Sequence, residues 1–262
     1  MTRLNQGLDT GSPPLPVWSG YFESWVECQT IAAEKSAYPN NVRAFESERW
    51  VNRQLAMYTD ASQGLYPRAC ALPSVSAAVL PMSIVDFGGG SGWPFQLLDP
   101  RIRRTLSTYL VIEQEKLVAQ MHPLSSEEEI LHFSSLKSLQ SGLVEPIDVL
   151  YSNSVIQYLD SWSDIEVLLN TLNPNWILLE DVQVSSGREF LSLQHYYGTY
   201  IPCRFFCLED LVALMDELGY SCRGRWPYPK TYASGALPVI ADAEGAPYTV
   251  SAPVSCLFSK VY

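Results

Sequence analysis

Three spaced glycines follow a short apolar stretch in the first half of the chain, and this pattern constrains the fold more than any other feature. Residues 83–95 read SIVDFGGGSGWPF, in which a β-branched segment ends at Asp86. Glycine has no Cβ atom, so Gly88, Gly90 and Gly92 allow the backbone to turn sharply and to lie close to a ligand. The pattern therefore predicts a ligand-binding turn between a buried β-strand and a helix.

The spacing of these glycines distinguishes between two kinds of nucleotide-binding turn. A dinucleotide-binding turn requires G-x-G-x-x-G or A, and its last position, counted from Gly88, falls on Trp93, which is too large for close helix packing. The D-x-G-x-G-x-G spacing resembles the first motif of Rossmann-like methyltransferases that use S-adenosylmethionine (SAM), where the glycine backbone holds the methionine end of SAM. The resemblance implies SAM as the cofactor, and the turn would bind it through Asp86, Gly88, Gly90 and Gly92. The alternative is a glycine-rich turn that binds nothing.

A second cofactor contact is expected about 20 residues after the glycines, where a carboxylate at the end of the next strand accepts hydrogen bonds from ribose hydroxyls. Glu113 lies 21 positions after Gly92 and follows a short apolar strand predicted over residues 109–112. Glu115 lies two positions further, beyond the apolar run, which is typical of a solvent-exposed acid. We therefore predict that Glu113 binds the ribose.

Composition excludes several classes of protein. The chain has 262 residues, of which 47% are hydrophobic, enough for one large α/β core with an appendage, but no apolar run approaches the ~18 residues of a membrane span. The amino-terminal residues lack the apolar segment of a secretory signal, and six scattered cysteines contain no C-x-x-C pair, so we expect a cytoplasmic protein with reduced thiols and no metal site. The net charge of −11 argues against a nucleic-acid partner, because phosphate binding requires a basic face.

The order of the predicted elements indicates an α/β fold with two parts. Residues 1–78 are predicted as an N-terminal extension and helical cap, with helices over 19–38 and 40–66. Residues 79–262 are predicted as a Rossmann-like SAM-binding catalytic domain, with a seven-stranded sheet that contains one antiparallel strand.

Polar side chains follow the predicted strands of this sheet at their carboxyl ends, where open parallel sheets bind ligands. We expect Ser134 and Ser135 beside the adenine of the cofactor, and Asn153 and Gln157 near its methionine end. Other polar residues at these strand ends are Ser152, Ser154, Glu180 and Asp181.

Several segments together carry a more specific resemblance. The segments are YFESW, VDFGGGSG, VIEQ, LHFSSL, DVLYSNSVIQYLD, ILLEDV and LQHYYGTYIPCRFF. They resemble a family of SAM-dependent methyltransferases associated with bacterial polysaccharide and lipopolysaccharide biosynthesis genes, over about residues 20–230. The resemblance implies the fold and the use of SAM, and it suggests a small polar acceptor such as a sugar or nucleotide sugar of a surface glycan. Methylation of another small metabolite or natural product, and a non-catalytic SAM-binding module, remain as alternatives.

Methyl transfer to a hydroxyl requires correct positioning and a base for the proton. His195 lies in a segment predicted as a loop after the fifth strand, and the ordinary pKa of histidine, ~6.5, makes this residue type suitable as a base near neutrality. Asp181 and Glu180 are rival bases, or they orient the imidazole. An acceptor pocket is predicted to contain Tyr158, Tyr196 and Tyr197.

Overall fold

The computed structural model describes residues 18–36, 44–59, 70–125, 130–135, 147–196, 199–229, 239–241 and 247–262. The strands are β1 (Trp18–Phe22), β2 (Ser83–Phe87), β3 (Thr108–Ile112), β4 (Leu131–Ser134), β5 (Val149–Asn153), β6 (Trp176–Val182), β7 (Val184–Ser185), β8 (Phe190–Tyr196), β9 (Thr199–Cys207), β10 (Tyr220–Pro227), β11 (Val239–Ala241), β12 (Pro247–Thr249) and β13 (Val254–Lys260). The α-helices are α1 (Trp25–Lys35), α2 (Glu48–Thr59), α3 (Leu72–Val79), α4 (Trp93–Leu97), α5 (Pro100–Thr105), α6 (Glu115–Ser125), α7 (Trp162–Leu172) and α8 (Leu208–Glu217).

A seven-stranded sheet forms the centre of the fold, in the order β10-β13-β6-β5-β2-β3-β4. The strands β6, β5, β2, β3 and β4 are parallel to one another, whereas β13 runs antiparallel to both β6 and β10. The predicted α/β fold, with seven strands and one antiparallel member, is confirmed. Because the carboxyl ends of the parallel strands lie along one edge, the polar residues that follow them are brought to the same side of the protein.

Helices cover both faces of this sheet, which explains why every residue of β2 is buried. On one face α7 and α8 pack against the sheet through side chains such as Leu168 and Leu211. On the other face α2, α3 and α6 contribute Trp50, Leu72 and Leu117 to a second apolar cluster. Two helices of the predicted cap therefore lie on the sheet face that also carries Asp86. The predicted domain boundary after residue 78 falls inside α3, and it remains a prediction.

A second, four-stranded sheet has the order β1-β8-β9-β7 and corrects two sequence predictions. The first predicted helix begins only at Trp25, because Ser24 caps it by accepting a hydrogen bond from the backbone of Glu27, and the residues before it pair with β8 as strand β1. The segment around His195, predicted as a loop, is the β8–β9 hairpin. A strand forms there because Leu191 and Leu193 alternate with polar residues, so that one face of the strand is apolar and packs on α1.

Among the described residues, no helix is both long and apolar enough to cross a membrane. All six cysteines lie in the described part of the chain, and each is a free thiol. The described residues also contain no group of three or more potential metal ligands.

Candidate functional site

The glycine turn between β2 and α4 has the backbone geometry that its sequence predicts. Gly88, Gly90 and Gly92 have φ angles of +70°, +59° and +69°, which residues with a Cβ rarely adopt. A Cβ atom on Gly88 would lie 2.3 Å from a methyl carbon of Val155, on the segment after β5. The turn thus packs closely against the end of a neighbouring strand, and larger residues would open it.

Asp86 lies directly beneath this turn and is almost fully buried, with 1% of its surface exposed. Its Oδ2 accepts a 2.8 Å hydrogen bond from the Tyr109 hydroxyl, while its Oδ1 has no donor among the described residues. Burial raises the pKa of Asp86 to about 7, and the negative charge of Glu113 adds to this rise. A buried carboxylate oxygen without a donor is costly, so it marks a place for a cationic or hydrogen-bonding ligand.

Glu113 lies at the end of β3, and its carboxylate reaches back to the glycine turn. Its Oε1 accepts a hydrogen bond from the Gly90 backbone at 3.2 Å, and its Oε2 accepts one from the Gln114 backbone at 2.8 Å. Burial raises the pKa of Glu113 to about 7, against the opposing effect of these two backbone donors. The structure therefore brings Asp86, the glycines and Glu113 together, as the sequence predicts.

The end of β4 lies beside Glu113, because the Glu113 backbone donates a 2.9 Å hydrogen bond to the Ser134 carbonyl. Here Ser134 and Ser135 line a cavity of about 330 Å³ together with residues of α6 and Phe133. The cavity combines hydroxyl groups with apolar walls, including Val118. A larger open groove of about 530 Å³ lies between α8 and β10 and contains none of the predicted site residues.

The carboxyl ends of β5 and β6 carry two residues with left-handed backbone conformations. Ser154 and Asp181 have φ angles of +61° and +52°, and the Ser154 hydroxyl donates to the Asp181 carboxylate. The Asp181 carboxylate also accepts a 3.1 Å hydrogen bond from the Gln183 amide, and its backbone carbonyl accepts one from Gln157 at 3.3 Å. Strained backbone that is held by side chains in this way is concentrated at functional sites.

Glu180 lies next to Asp181 in sequence but belongs to a different cluster, on the sheet face that carries Asp86. Its carboxylate accepts hydrogen bonds from the Ala71 backbone at 3.0 Å and from the Tyr151 hydroxyl at 2.9 Å. The Asn153 amide donates to the same hydroxyl at 3.1 Å. Burial raises the pKa of Glu180 above its ordinary value, so this carboxylate holds a proton more readily than a solvent-exposed glutamate does.

The β8–β9 hairpin divides the remaining predicted site residues between its two faces. Tyr158 and Tyr196 lie around Phe45, with ring centres 5.1 and 5.8 Å from it, and the Tyr158 hydroxyl donates a 2.6 Å hydrogen bond to Gln194. His195 alternates to the opposite face, where its ring centre lies 5.1 Å from that of Tyr200. This opposite face is the one that packs on α1. Tyr197 lies outside the described residues.

Gln54 is a site residue that sequence reasoning missed. Its Oε1 accepts a 3.0 Å hydrogen bond from the Ser91 backbone, and it lies 2.5 Å from where a Cβ atom on Gly90 would be. A signal was present in the helical spacing, because Gln54 lies four residues after the buried Trp50 and four before Tyr58. A polar side chain in this row has to find a polar partner on the sheet side.

Comparison with solved structures identifies the fold. A SAM-dependent methyltransferase from Clostridium acetobutylicum is 6% identical, with a TM-score of 0.52 over 80% of this chain and 99% of that one. An O-methyltransferase from neocarzinostatin biosynthesis, in complex with S-adenosyl-L-homocysteine and 1,4-dihydroxy-2-naphthoic acid, is 16% identical. Its TM-score is 0.50, over 89% of this chain and 67% of that one. No protein-family model and no curated protein matches the sequence. The chain therefore has the Rossmann-like fold of these SAM-dependent methyltransferases.

Proposed function

We propose that this protein is a SAM-dependent methyltransferase that transfers a methyl group to an oxygen or nitrogen atom of a small polar molecule. One observation carries the proposal above all others. Asp86 Oδ1, which has no donor in the described part of the chain, lies under a glycine turn, and the Gly90 backbone of this turn donates to the Glu113 carboxylate. A turn of this kind, on this fold, offers negative and hydrogen-bonding groups where a nucleoside with a cationic end can be held.

The residues present fit the cofactor. Asp86 would accept a hydrogen bond from the ammonium group of SAM, and Glu113 would accept hydrogen bonds from the ribose hydroxyls. The cavity with Ser134, Ser135 and the apolar wall of Phe133 suits an adenine, which needs both stacking surface and hydrogen-bond partners. Asn153 and Gln157 complete the proposed site at the end of β5. When bound, SAM supplies an activated methyl group on a sulfonium centre.

The protein's own contribution to the reaction is positioning and proton removal. An ordered site that excludes water and holds the acceptor in line supplies a large part of the rate, and a hydroxyl acceptor additionally needs a base. We propose His195, Asp181 and Glu180 as the candidate bases. Glu180 has the stronger geometric support, because it shares a sheet face with Asp86 and Asn153 and its pKa is raised. The other proposed base is His195, with Asp181 as its partner. In that case the acceptor has to reach the hairpin face that packs on α1.

For the acceptor we propose a sugar or nucleotide sugar of a surface glycan. The sequence resemblance to methyltransferases of polysaccharide biosynthesis supports this class, and Tyr158 and Tyr196 offer ring faces and a hydroxyl suited to sugars. A second candidate is a phenolic natural product, favoured by the aromatic cluster of Phe45 and Trp50 and by the naphthoic acid bound to the neocarzinostatin enzyme. The net charge of −11 supports a small-molecule acceptor over a nucleic acid.

Calorimetric titration with S-adenosylhomocysteine tests the cofactor assignment. We expect the wild-type protein to bind it, and Glu113→Ala to lose about 1 to 3 kcal/mol of binding free energy, because a ribose partner disappears. Glu217→Ala is the control, since it removes an exposed acid from α8, which packs on the sheet face opposite to Asp86. Equal affinity in the wild type and Glu113→Ala would reject the proposed ribose contact, and no binding by the wild type would reject the function.

Product masses identify the acceptor. The protein, SAM and a panel of nucleotide sugars would be incubated together, beside a matched panel of phenols. A mass increase of one methyl group in a nucleotide sugar supports the glycan assignment, whereas methylation of phenols alone supports the natural-product alternative. Binding of the cofactor without methylation of any member of either panel would favour the non-catalytic module.

A further inference from the structure

A side chain of the cap helix α2 occupies the ligand side of the glycine turn. The Gln54 amide oxygen accepts the Ser91 backbone N–H at 3.0 Å and fills the space over Gly90. Two polar atoms beside this contact have no partner among the described residues, namely the Ser91 hydroxyl and Asp86 Oδ1. Both residues are 1% exposed, so bulk water does not reach these two atoms, whereas the neighbouring Ser91 backbone N–H is already paired with Gln54.

The helix that carries Gln54 is held in place at both of its ends. Before the helix, the Lys116 ammonium donates a 2.8 Å hydrogen bond to the Glu46 carbonyl, and near its end the Tyr58 hydroxyl donates to the Leu124 carbonyl at 3.0 Å. Trp50, 4% exposed, anchors the middle in the apolar cluster of the sheet. The glutamine side chain can therefore leave the turn by rotation, without displacement of α2.

We propose that Gln54 is an internal competitor for the cofactor's amino acid end. This inference rests on the proposed function, because it assumes a ligand with a carboxylate that takes the Ser91 N–H. In the free protein the Gln54 amide oxygen accepts the hydrogen bond from the Ser91 N–H. When the ligand binds, its carboxylate replaces the amide oxygen as the acceptor. A backbone N–H prefers a charged acceptor to a neutral amide, so a carboxylate can displace the Gln54 oxygen from the Ser91 N–H.

The competition reduces the apparent affinity for any ligand that needs the Ser91 N–H, because only the fraction of molecules with a vacated turn can bind it. A neutral hydrogen bond of ordinary net strength corresponds to a reduction of about 3- to 10-fold. A ligand without the amino acid end needs neither the donor nor the space over Gly90, and its affinity is independent of Gln54. Gln54 thus lowers the affinity for SAM and S-adenosylhomocysteine relative to ligands that lack the amino acid end.

Two ligands and two variants of the full chain test this proposal. The affinities of S-adenosylhomocysteine and of 5′-methylthioadenosine, which lacks the amino acid end, would be measured by calorimetry. We expect Gln54→Ala to bind S-adenosylhomocysteine about 3- to 10-fold more tightly, with the affinity for methylthioadenosine changed by less than about twofold. Asn52→Ala, an exposed amide on the same helix, is the control and should change neither affinity.

A direct readout keeps the test independent of any folding defect. Amide hydrogen exchange at Ser91 in the free protein should be faster in Gln54→Ala than in the wild type, because its acceptor is gone. Weaker binding of S-adenosylhomocysteine by Gln54→Ala would make Gln54 a ligand contact and overturn the competition. Parallel changes for both ligands would overturn it too. If both ligands bind the wild type, these outcomes leave the proposed function intact, whereas binding of neither ligand rejects both.

Discussion

The glycine-turn region and the hairpin region of the molecule are assembled in opposite ways. The glycine-turn region is one continuous stretch, residues 83–115, in which two adjacent parallel strands bring Asp86 and Glu113 to the same turn. The hairpin region comprises β1, β8 and β9 with Phe45 and Tyr158, and β1 and Phe45 contact residues more than a hundred positions away in the chain. A local motif thus specifies the first region, whereas tertiary pairing specifies the second.

This difference separates the two halves of the proposed reaction. We propose cofactor binding in the region that is fixed by local backbone geometry, and acceptor binding in the region whose shape depends on distant side chains. Substitutions in the hairpin region should therefore change acceptor use without loss of cofactor affinity, and the reverse should hold for the glycine turn.

The largest effect is expected from loss of the base, and it decides whether the central sheet or the hairpin region supplies that base. Glu180→Gln keeps an acceptor for the Ala71 and Tyr151 hydrogen bonds but cannot take a proton, so turnover should fall by ~10² to 10⁴ with cofactor affinity nearly unchanged. His195→Ala should then retain turnover within about threefold. Steady-state rates with saturating SAM provide the measurement.

The opposite pattern, a large loss in His195→Ala and in Asp181→Asn with Glu180→Gln active, would place the base in the hairpin region. Full activity in all three variants would contradict both assignments. It would indicate an acceptor that needs no base, such as a neutral amine or a carboxylate.

The second prediction concerns the pH dependence of stability in the glycine-turn region. The folded-state pKa of Asp86 is about 7, above its ordinary value of 3.8, because burial disfavours the charged form, so folding favours the protonated carboxyl. This stabilisation is complete below about pH 4 and is lost as the pH rises to about 7, a change on the order of 4 kcal/mol. Glu113, also raised to about 7, acts in the same direction.

Asp86→Asn should flatten this decline, because the amide does not titrate and still accepts from the Tyr109 hydroxyl. Urea unfolding between pH 4 and pH 8 measures it, and above pH 7 the variant should be more stable than the wild type. A wild-type free energy of unfolding that rises over this range, with the same slope in Asp86→Asn, would show that Asp86 is not protonated in the free protein.

The third prediction tests how closely the glycine turn is packed. Gly88→Ala would place a Cβ atom 2.3 Å from Val155 on a backbone with φ of +70°, so we expect a loss of about 2 to 3 kcal/mol in the free energy of unfolding. Gly187→Ala is the control, because a Cβ atom there meets nothing within 4 Å. Chemical denaturation of both variants gives the comparison, and equal stabilities would mean that the turn relaxes freely.

The same contrast explains how much of the structure could be predicted from sequence. The glycine turn and Glu113 were found because backbone requirements and strand order act over short distances in the chain. The sequence predicts a loop where the β8–β9 hairpin forms, because the polar aromatic residues obscure the alternation of Leu191 and Leu193 that packs on α1. The helical spacing places Gln54 on the sheet side of α2, but its partner cannot be predicted, because the backbone N–H of Ser91 carries no sequence signal. Neither strand β1 nor the separation of Glu180 from Asp181 onto different faces could be read from local patterns.

The smallest effect is expected for Tyr158→Phe, which removes a single hydroxyl from the hairpin region. Loss of the 2.6 Å hydrogen bond to Gln194 should lower the free energy of unfolding by about 1 kcal/mol, because the mostly buried amide oxygen loses its donor. The KM for the acceptor should rise several-fold while the affinity for S-adenosylhomocysteine stays within about twofold. Tyr200→Phe is the matched control, since it removes a hydroxyl from the opposite face of the same hairpin and should leave the KM unchanged. Equal KM changes in both variants, or a loss of cofactor affinity in Tyr158→Phe, would break the separation between the two regions, because the hairpin would then act on the glycine turn as well as on the acceptor.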